Sequence, residues 1–240
     1  MKQITRQPHP RRRKLLLLLG QALVTGPVAA QNFEPGFARI NFPACVVTPQ
    51  QTEGPYFVNE MLLRSDLRTD PSDGQVSAGM PLTLTLRILS AGGTRCLPVA
   101  DAMVDIWHCD AAGVYSDAND RAFKTVGKKF LRGYQITNQN GEVRFLTIYP
   151  GWYPGRAIHM HVKVRLKTRN ARNYEFNSQL YFDETINDQV LQHAAYRRPG
   201  RRVRNNQDGI FQDGGRSLVI TPRKDADGYA AAFDIGLGIT

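Results

Sequence analysis

Tyr153, Arg156, His159 and His161 fall within the run Gly151-Trp152-Tyr153-Pro154-Gly155-Arg156-Ala157-Ile158-His159-Met160-His161, which brings a phenol, a guanidinium and two imidazoles close together in sequence. If Ile158 to Leu166 form a strand, alternation puts His159 and His161 on one face and Met160, Val162, Val164 and Leu166 on the other. The apolar face can enter a core while the imidazoles converge on a point outside it, and imidazole is the commonest metal ligand among side chains. A His-x-His pair is also what the polar side of an ordinary sheet looks like, so further ligands decide the matter.

Tyr153 lies just upstream across a Pro154-Gly155 turn. A phenol has a pKa of about 10 in water, so it ligates well only where a strongly Lewis-acidic cation stabilises the phenolate. Ferric iron is harder and more highly charged than zinc, whereas a zinc hydrolase would add a carboxylate or a third histidine. A second tyrosine, Tyr115, follows the segment Asp105-Ile106-Trp107-His108-Cys109-Asp110 and a Gly113 turn.

The elements that must position these residues read as strands. Leu82, Leu84, Leu86 and Ile88 alternate with polar residues; so do Val104 and Ile106, and Val143 and Phe145 after the turn signal Asn140-Gly141. Leu180 and Phe182, Leu218 and Ile220, and Phe233 and Ile235 continue the pattern. One helix is predicted from Thr185 to about Tyr196, with Thr185 and Asp188 as a capping box. The fold class expected is all-β, an antiparallel β-sandwich with one short helix and long loops.

Residues 1–30 have the parts of an export signal: the basic run Arg11-Arg12-Arg13-Lys14, an apolar run from Leu15 to Val24, and small residues Val28-Ala29-Ala30 before a cleavage point. Arg12-Arg13 followed by Lys14-Leu15-Leu16 also resembles a twin-arginine signal, with a plain secretory signal as the alternative. The mature chain, 31–240, is expected to be one exported domain, periplasmic or secreted, with no membrane anchor after cleavage. Six of the basic residues lie in the leader, so the formal charge of +10 falls to +4 without it. Nucleic-acid binding thereby loses its compositional support. Arg197, Arg198, Arg201, Arg202 and Arg204 remain as a basic cluster, read first as a solvated loop and second as an attractor of an anionic substrate or surface. Cys45, Cys96 and Cys109 allow one disulfide and leave one thiol over, with the pair undecided.

The ordered set of Tyr115, Tyr153, Arg156, His159 and His161 resembles that of the intradiol ring-cleavage dioxygenases. Thr52-Glu53-Gly54-Pro55-Tyr56-Phe57, Phe130-Leu131-Arg132-Gly133, Thr147-Ile148-Tyr149-Pro150-Gly151 and Gln179-Leu180-Tyr181-Phe182 extend the resemblance over residues 45 to 221. It implies that Tyr115, Tyr153, His159 and His161 bind a non-haem Fe(III), with Tyr153 the axial tyrosinate that leaves when substrate chelates. Arg156 would be the residue stabilising charge on the attacked substrate. Gln179 is implied near the iron pocket, and Tyr56 and Trp152 are candidates to line it or to be packing aromatics. The implied reaction cleaves a catechol-like ring between its two hydroxyls with O2, giving a cis,cis-muconate-type product; a homo-oligomer is allowed. His108 and His193 match no family ligand.

The chain departs from the family in lacking the long helical amino-terminal region of catechol and hydroxyquinol dioxygenases, in carrying an export signal, and in placing Gly155 where many relatives have a bulkier residue. Two readings of other classes are a metal-free β-sandwich binding or cell-surface module and a zinc hydrolase.

Overall fold

A computed structural model describes residues 46–92, 96–168 and 170–239. The proposed leader and Cys45 lie outside the described residues.

Among the described residues ten strands form two sheets. In the first, β1 (Pro81–Ser90) pairs with β10 (Gly228–Leu237), β10 with β9 (Arg223–Asp225), and β1 on its other edge with β2 (Leu97–Pro98) and β5 (Glu142–Ile148). In the second the order is β4 (Arg132–Ile136), β3 (Met103–Trp107), β6 (His159–Lys167), β7 (Asn173–Phe182), β8 (Val219–Ile220). β1 shows why alternation works: Leu82, Leu84, Leu86 and Ile88 are fully buried while the residues between them are half-exposed. They meet Val104, Ile106, Met160, Val162, Val164, Phe176 and Leu180 of the second sheet in one core.

The β-sandwich expected from the sequence is present, but its sheets are mixed. β1 runs parallel to β10 and β7 parallel to β8, so the arrangement is not purely antiparallel. These pairings join strands far apart in sequence, where no turn signal specifies direction.

The predicted helix is shorter than expected. α1 spans Glu184–Val190, and Asp183, rather than Thr185, caps it by accepting hydrogen bonds from Thr185 N and Ile186 N at 2.9 and 3.2 Å. Asp188 instead pairs with Arg202 and Arg204. Ala194–Tyr196 is a separate 3-10 turn, because His193 leaves the helix in extended conformation. A second helix, α2, is the single turn Gly209–Gln212, capped by Asp208. Among the described residues no helix is long and apolar enough to cross a membrane.

The basic cluster is largely absorbed by structure. Arg202 and Arg204 pair with Glu184 and Asp188, and Arg198 lies over the Trp152 ring at 4.5 Å. Cys96 is disulfide-bonded, and among the described residues Cys109 is a buried free thiol.

Candidate metal centre

Met160, Val162 and Val164 of β6 enter the sandwich core, so alternation places His159, His161 and Lys163 on the opposite face of the sheet. Register sets Trp107, His161 and Gln179 side by side across β3, β6 and β7, with His159 opposite Tyr181. This face is not open: Trp107, Cys109, Tyr115 and Ala118, with Tyr56, Phe57, Phe123 and Tyr153 against them, form a second apolar cluster over it. Both imidazoles are 1% exposed.

Two loops bring the phenols in. Asp110 shapes the first, accepting hydrogen bonds on Oδ1 from Ala112 N and Val114 N at 2.9 Å and on its carbonyl from Gly113 N and Gly151 N. Gly113 has φ +81°, and a Cβ there would lie 2.3 Å from the Trp152 carbonyl; a Cβ on Gly151 would lie 2.4 Å from that of Asp110. The loops bearing Tyr115 and Tyr153 therefore touch backbone to backbone. Arg132, 3% exposed, fixes the residue after Tyr115: its guanidinium donates to Ser116 Oγ, to the Ser116 carbonyl and to the Tyr56 carbonyl. Gly155, at φ +89° with nothing within 4 Å, turns the chain between Tyr153 and Arg156.

The result is a convergence on one atom. His159 Nε2 lies 3.5 Å from Tyr115 Oη, 3.3 Å from Tyr153 Oη, 3.1 Å from His161 Nε2 and 3.4 Å from Arg156 Nη1. One nitrogen cannot share ordinary hydrogen bonds with all of them. His159 Nδ1 lies 2.7 Å from the Ala157 carbonyl, to which it donates, so Nε2 carries a lone pair. His161 Nδ1 is buried without a partner, its ring parallel to Trp107 at 4.9 Å and 7°, with Gly54 against its edge. Donors bound to one cation at about 2.1 Å sit about 3.0–3.4 Å from each other, close to the spacings seen between His159 Nε2 and its three neighbours Tyr115, Tyr153 and His161.

The electrostatics agree. Burial pushes the His159 imidazole down to about 3, with Arg156 adding to the effect, and burial with His159 beside it pushes His161 down too. Burial raises the Tyr153 phenol to about 12 and the Tyr115 phenol well above its ordinary value. Two neutral imidazoles and two protonated phenols become four donors only around a strongly Lewis-acidic cation. Among the described residues no three of His, Cys, Asp and Glu are grouped to hold a metal, so the site depends on its tyrosines. That donor set fits ferric iron and lacks the carboxylate or third histidine of the zinc alternative.

Arg156 is held from three sides. Its Nε donates to Asp208 Oδ2 at 2.9 Å, its Nη2 to Gln179 Oε1 at 2.6 Å, and Nη1 faces the donor cluster. Burial disfavours its charge, but Tyr153 and Asp208 outweigh that and raise its pKa. Gln179 Nε2 donates to the Thr52 carbonyl at 2.9 Å, so both ends of its amide are engaged. Tyr56 stacks on Tyr115 at 4.4 Å and 20°, its hydroxyl donating to Asp120 Oδ2 at 2.8 Å. Trp152 is covered by Arg198 and Gly200, a packing position. His108 has both ring nitrogens engaged, with the Cys109 carbonyl and Thr147 Oγ1. His193 caps the 3-10 turn, its Nδ1 accepting from Ala195 N.

Sequence reasoning missed Trp107, Arg132 and Asp208. Asp208-Gly209 carries a cap signal, but nothing in it points to Arg156.

Residues 52–197 match the family model described as Dioxygenase. The chain is 29% identical to an intradiol ring-cleavage dioxygenase from Tetranychus urticae, with a TM-score of 0.69 over 82% of this chain and 96% of that one. The dioxygenase domain of a dioxygenase carbohydrate-binding protein fusion from Streptomyces sp. SirexAA-E aligns at 28% identity and TM-score 0.58, over 81% of this chain and all of that one (100%). A protocatechuate 3,4-dioxygenase beta chain from Burkholderia cepacia is 37% identical over 90 residues, which span 35% of this chain and 37% of that relative.

Proposed function

The chain belongs to the intradiol ring-cleavage dioxygenase family, and from that membership and its four converging donors we propose that it is an Fe(III)-dependent enzyme cleaving a catechol-like ring between its hydroxyls. Both atoms of O2 would be incorporated, the bond between the two hydroxyl-bearing carbons would break, and the product would be a cis,cis-muconate derivative. The observation that carries the reading is the placement of Tyr115 Oη, Tyr153 Oη and His161 Nε2 within 3.1–3.5 Å of the lone-pair nitrogen of His159.

Bound there, ferric iron would supply the Lewis acidity that deprotonates phenols and catechol and the electronic path by which O2 reacts with a closed-shell ring. The protein's residues do the rest. Tyr115 is 1% exposed and stacked under Tyr56, a donor built to stay. Tyr153 sits half-buried beside the exposed turn residues Pro154 and Gly155, so it can swing away, and as phenolate it is a strong base for one catechol proton. His159 and His161, neutral at working pH, hold position without competing for protons. Arg156 presents a permanent cation at the edge of the cluster, where charge grows on the attacked ring.

We also propose export of the mature chain, supported by the leader-like residues 1–30 and by the disulfide on Cys96. Oxygen uptake by iron-loaded protein, measured with catechol, hydroxyquinol, protocatechuate and chlorinated catechols, tests the activity. Stoichiometric O2 consumption with formation of a muconate chromophore is expected. No uptake with any catechol by fully iron-loaded protein would overturn the reading.

A further inference from the structure

The side chain of Asp208 is 1% exposed and ties together two parts of the chain, the Arg156–Ala157 segment and α2. Oδ2 accepts from Arg156 Nε at 2.9 Å and from Ala157 N at 2.8 Å; Oδ1 accepts from Ile210 N at 2.8 Å and Phe211 N at 3.2 Å, capping α2. Ala157, held by its N–H, turns its carbonyl to His159 Nδ1 at 2.7 Å. Four N–H donors converge on two oxygens, an arrangement that only an ionised carboxylate satisfies, since an amide would have to turn its NH2 towards one pair of donors.

We propose that Asp208 is a positioning residue, which sets Arg156 and, through Ala157, His159 as one unit from a segment remote in sequence. A structural cap would need only Oδ1. The second oxygen sits instead on the guanidinium whose other nitrogens face Gln179 and the donor cluster. Its negative charge also offsets that of Arg156, whose Nη1 lies 3.4 Å from His159 Nε2 among the donors. Without it, the cation would hold the phenolate electrons more tightly, and charge transfer from tyrosinate to iron would require more energy.

This inference rests on the proposed iron site, and Asp208→Asn tests it. The iron-loaded variant should show its visible band at shorter wavelength, with kcat lower by about 10- to 100-fold and a much smaller change in KM. Asn205→Ala serves as the structural comparison: Asn205 Nδ2 anchors the segment leading into Asp208 through the Phe182 carbonyl at 2.9 Å without touching Arg156 or its partners. It should lower the Tm and leave the band in place. In metal-free protein, nitrogen NMR should show an Arg156 Nε–H that exchanges slowly in the native chain and rapidly in Asp208→Asn.

An unshifted band and unchanged kcat in Asp208→Asn, or an equal shift in Asn205→Ala, would overturn the assignment. So would fast Arg156 Nε–H exchange in the native chain. If the native chain shows no visible band with iron, the iron reading fails, while the NMR comparison still decides whether Asp208 holds Arg156.

Discussion

The indole of Trp107 lies parallel to the imidazole of His161, with ring centroids 4.9 Å apart and 7° between planes. A histidine that binds a metal usually gains its orientation from a hydrogen bond at the far nitrogen; His159 has one, to the Ala157 carbonyl, but among the described residues His161 Nδ1 is buried without one. Packing between Trp107 and Gly54 takes over that task. Trp107→Leu should therefore release iron to a chelator with about 10-fold weaker affinity, whereas Trp107→Phe, which keeps a stacking ring, should stay near native. Chelator competition followed by dialysis measures both; equal retention in the two variants would contradict the packing account.

Arg156 carries charge and also a fork fixed by Asp208 and Gln179. Arg156→Lys keeps the charge and loses the fork. We expect kcat to fall by about 10²- to 10³-fold while iron binding persists, read by steady-state oxygen uptake beside iron analysis. A variant with native kcat would remove Arg156 from the reaction.

His108, fully buried, is pushed down to about 4 by loss of solvent. A histidine whose folded pKa is lowered stabilises the fold fully above its unfolded value of about 6.5, and that contribution fades as pH falls towards 4. Between pH 7.5 and 5 the loss should be about 2 kcal/mol from this residue. His108→Gln should show a correspondingly shallower fall in urea midpoint over that range; an identical fall in both proteins would contradict the assignment.

The two glycines flanking Tyr153 should behave differently. Gly151→Ala would drive a methyl into the Asp110 carbonyl and should cost about 2 kcal/mol or more, displacing the Tyr115 loop. Gly155→Ala meets no atoms within 4 Å and carries only the cost of its positive φ, about 1 kcal/mol. Thermal melts of the two variants distinguish crowding from backbone strain.

Much of the site is legible in the chain because local rules govern it. Alternation around Met160 and Val162 is enough to place His159 and His161 together, and the Pro154-Gly155 turn suggests Tyr153 as their neighbour. Tyr115 needed the wider resemblance, since it arrives on a separate loop from β3. Asp208 and Trp107 were not legible: one meets Arg156 only after the chain has passed through β6, β7 and α1, and the other reads as an ordinary strand aromatic. The parallel pairing of β1 with β10 is invisible for the same reason, joining strands at opposite ends of the described chain. The helix starts earlier than the Thr185 and Asp188 pattern indicates because Asp183, a better cap, precedes that pattern by two residues.

Visible absorption of the iron-loaded protein reads whether two phenols and two imidazoles share one ferric ion. Tyrosinate coordination predicts a red-brown protein with a broad charge-transfer band, reduced but present in Tyr153→Phe or Tyr115→Phe and lost when both tyrosines are replaced. A native protein that binds iron stoichiometrically yet stays colourless would contradict it.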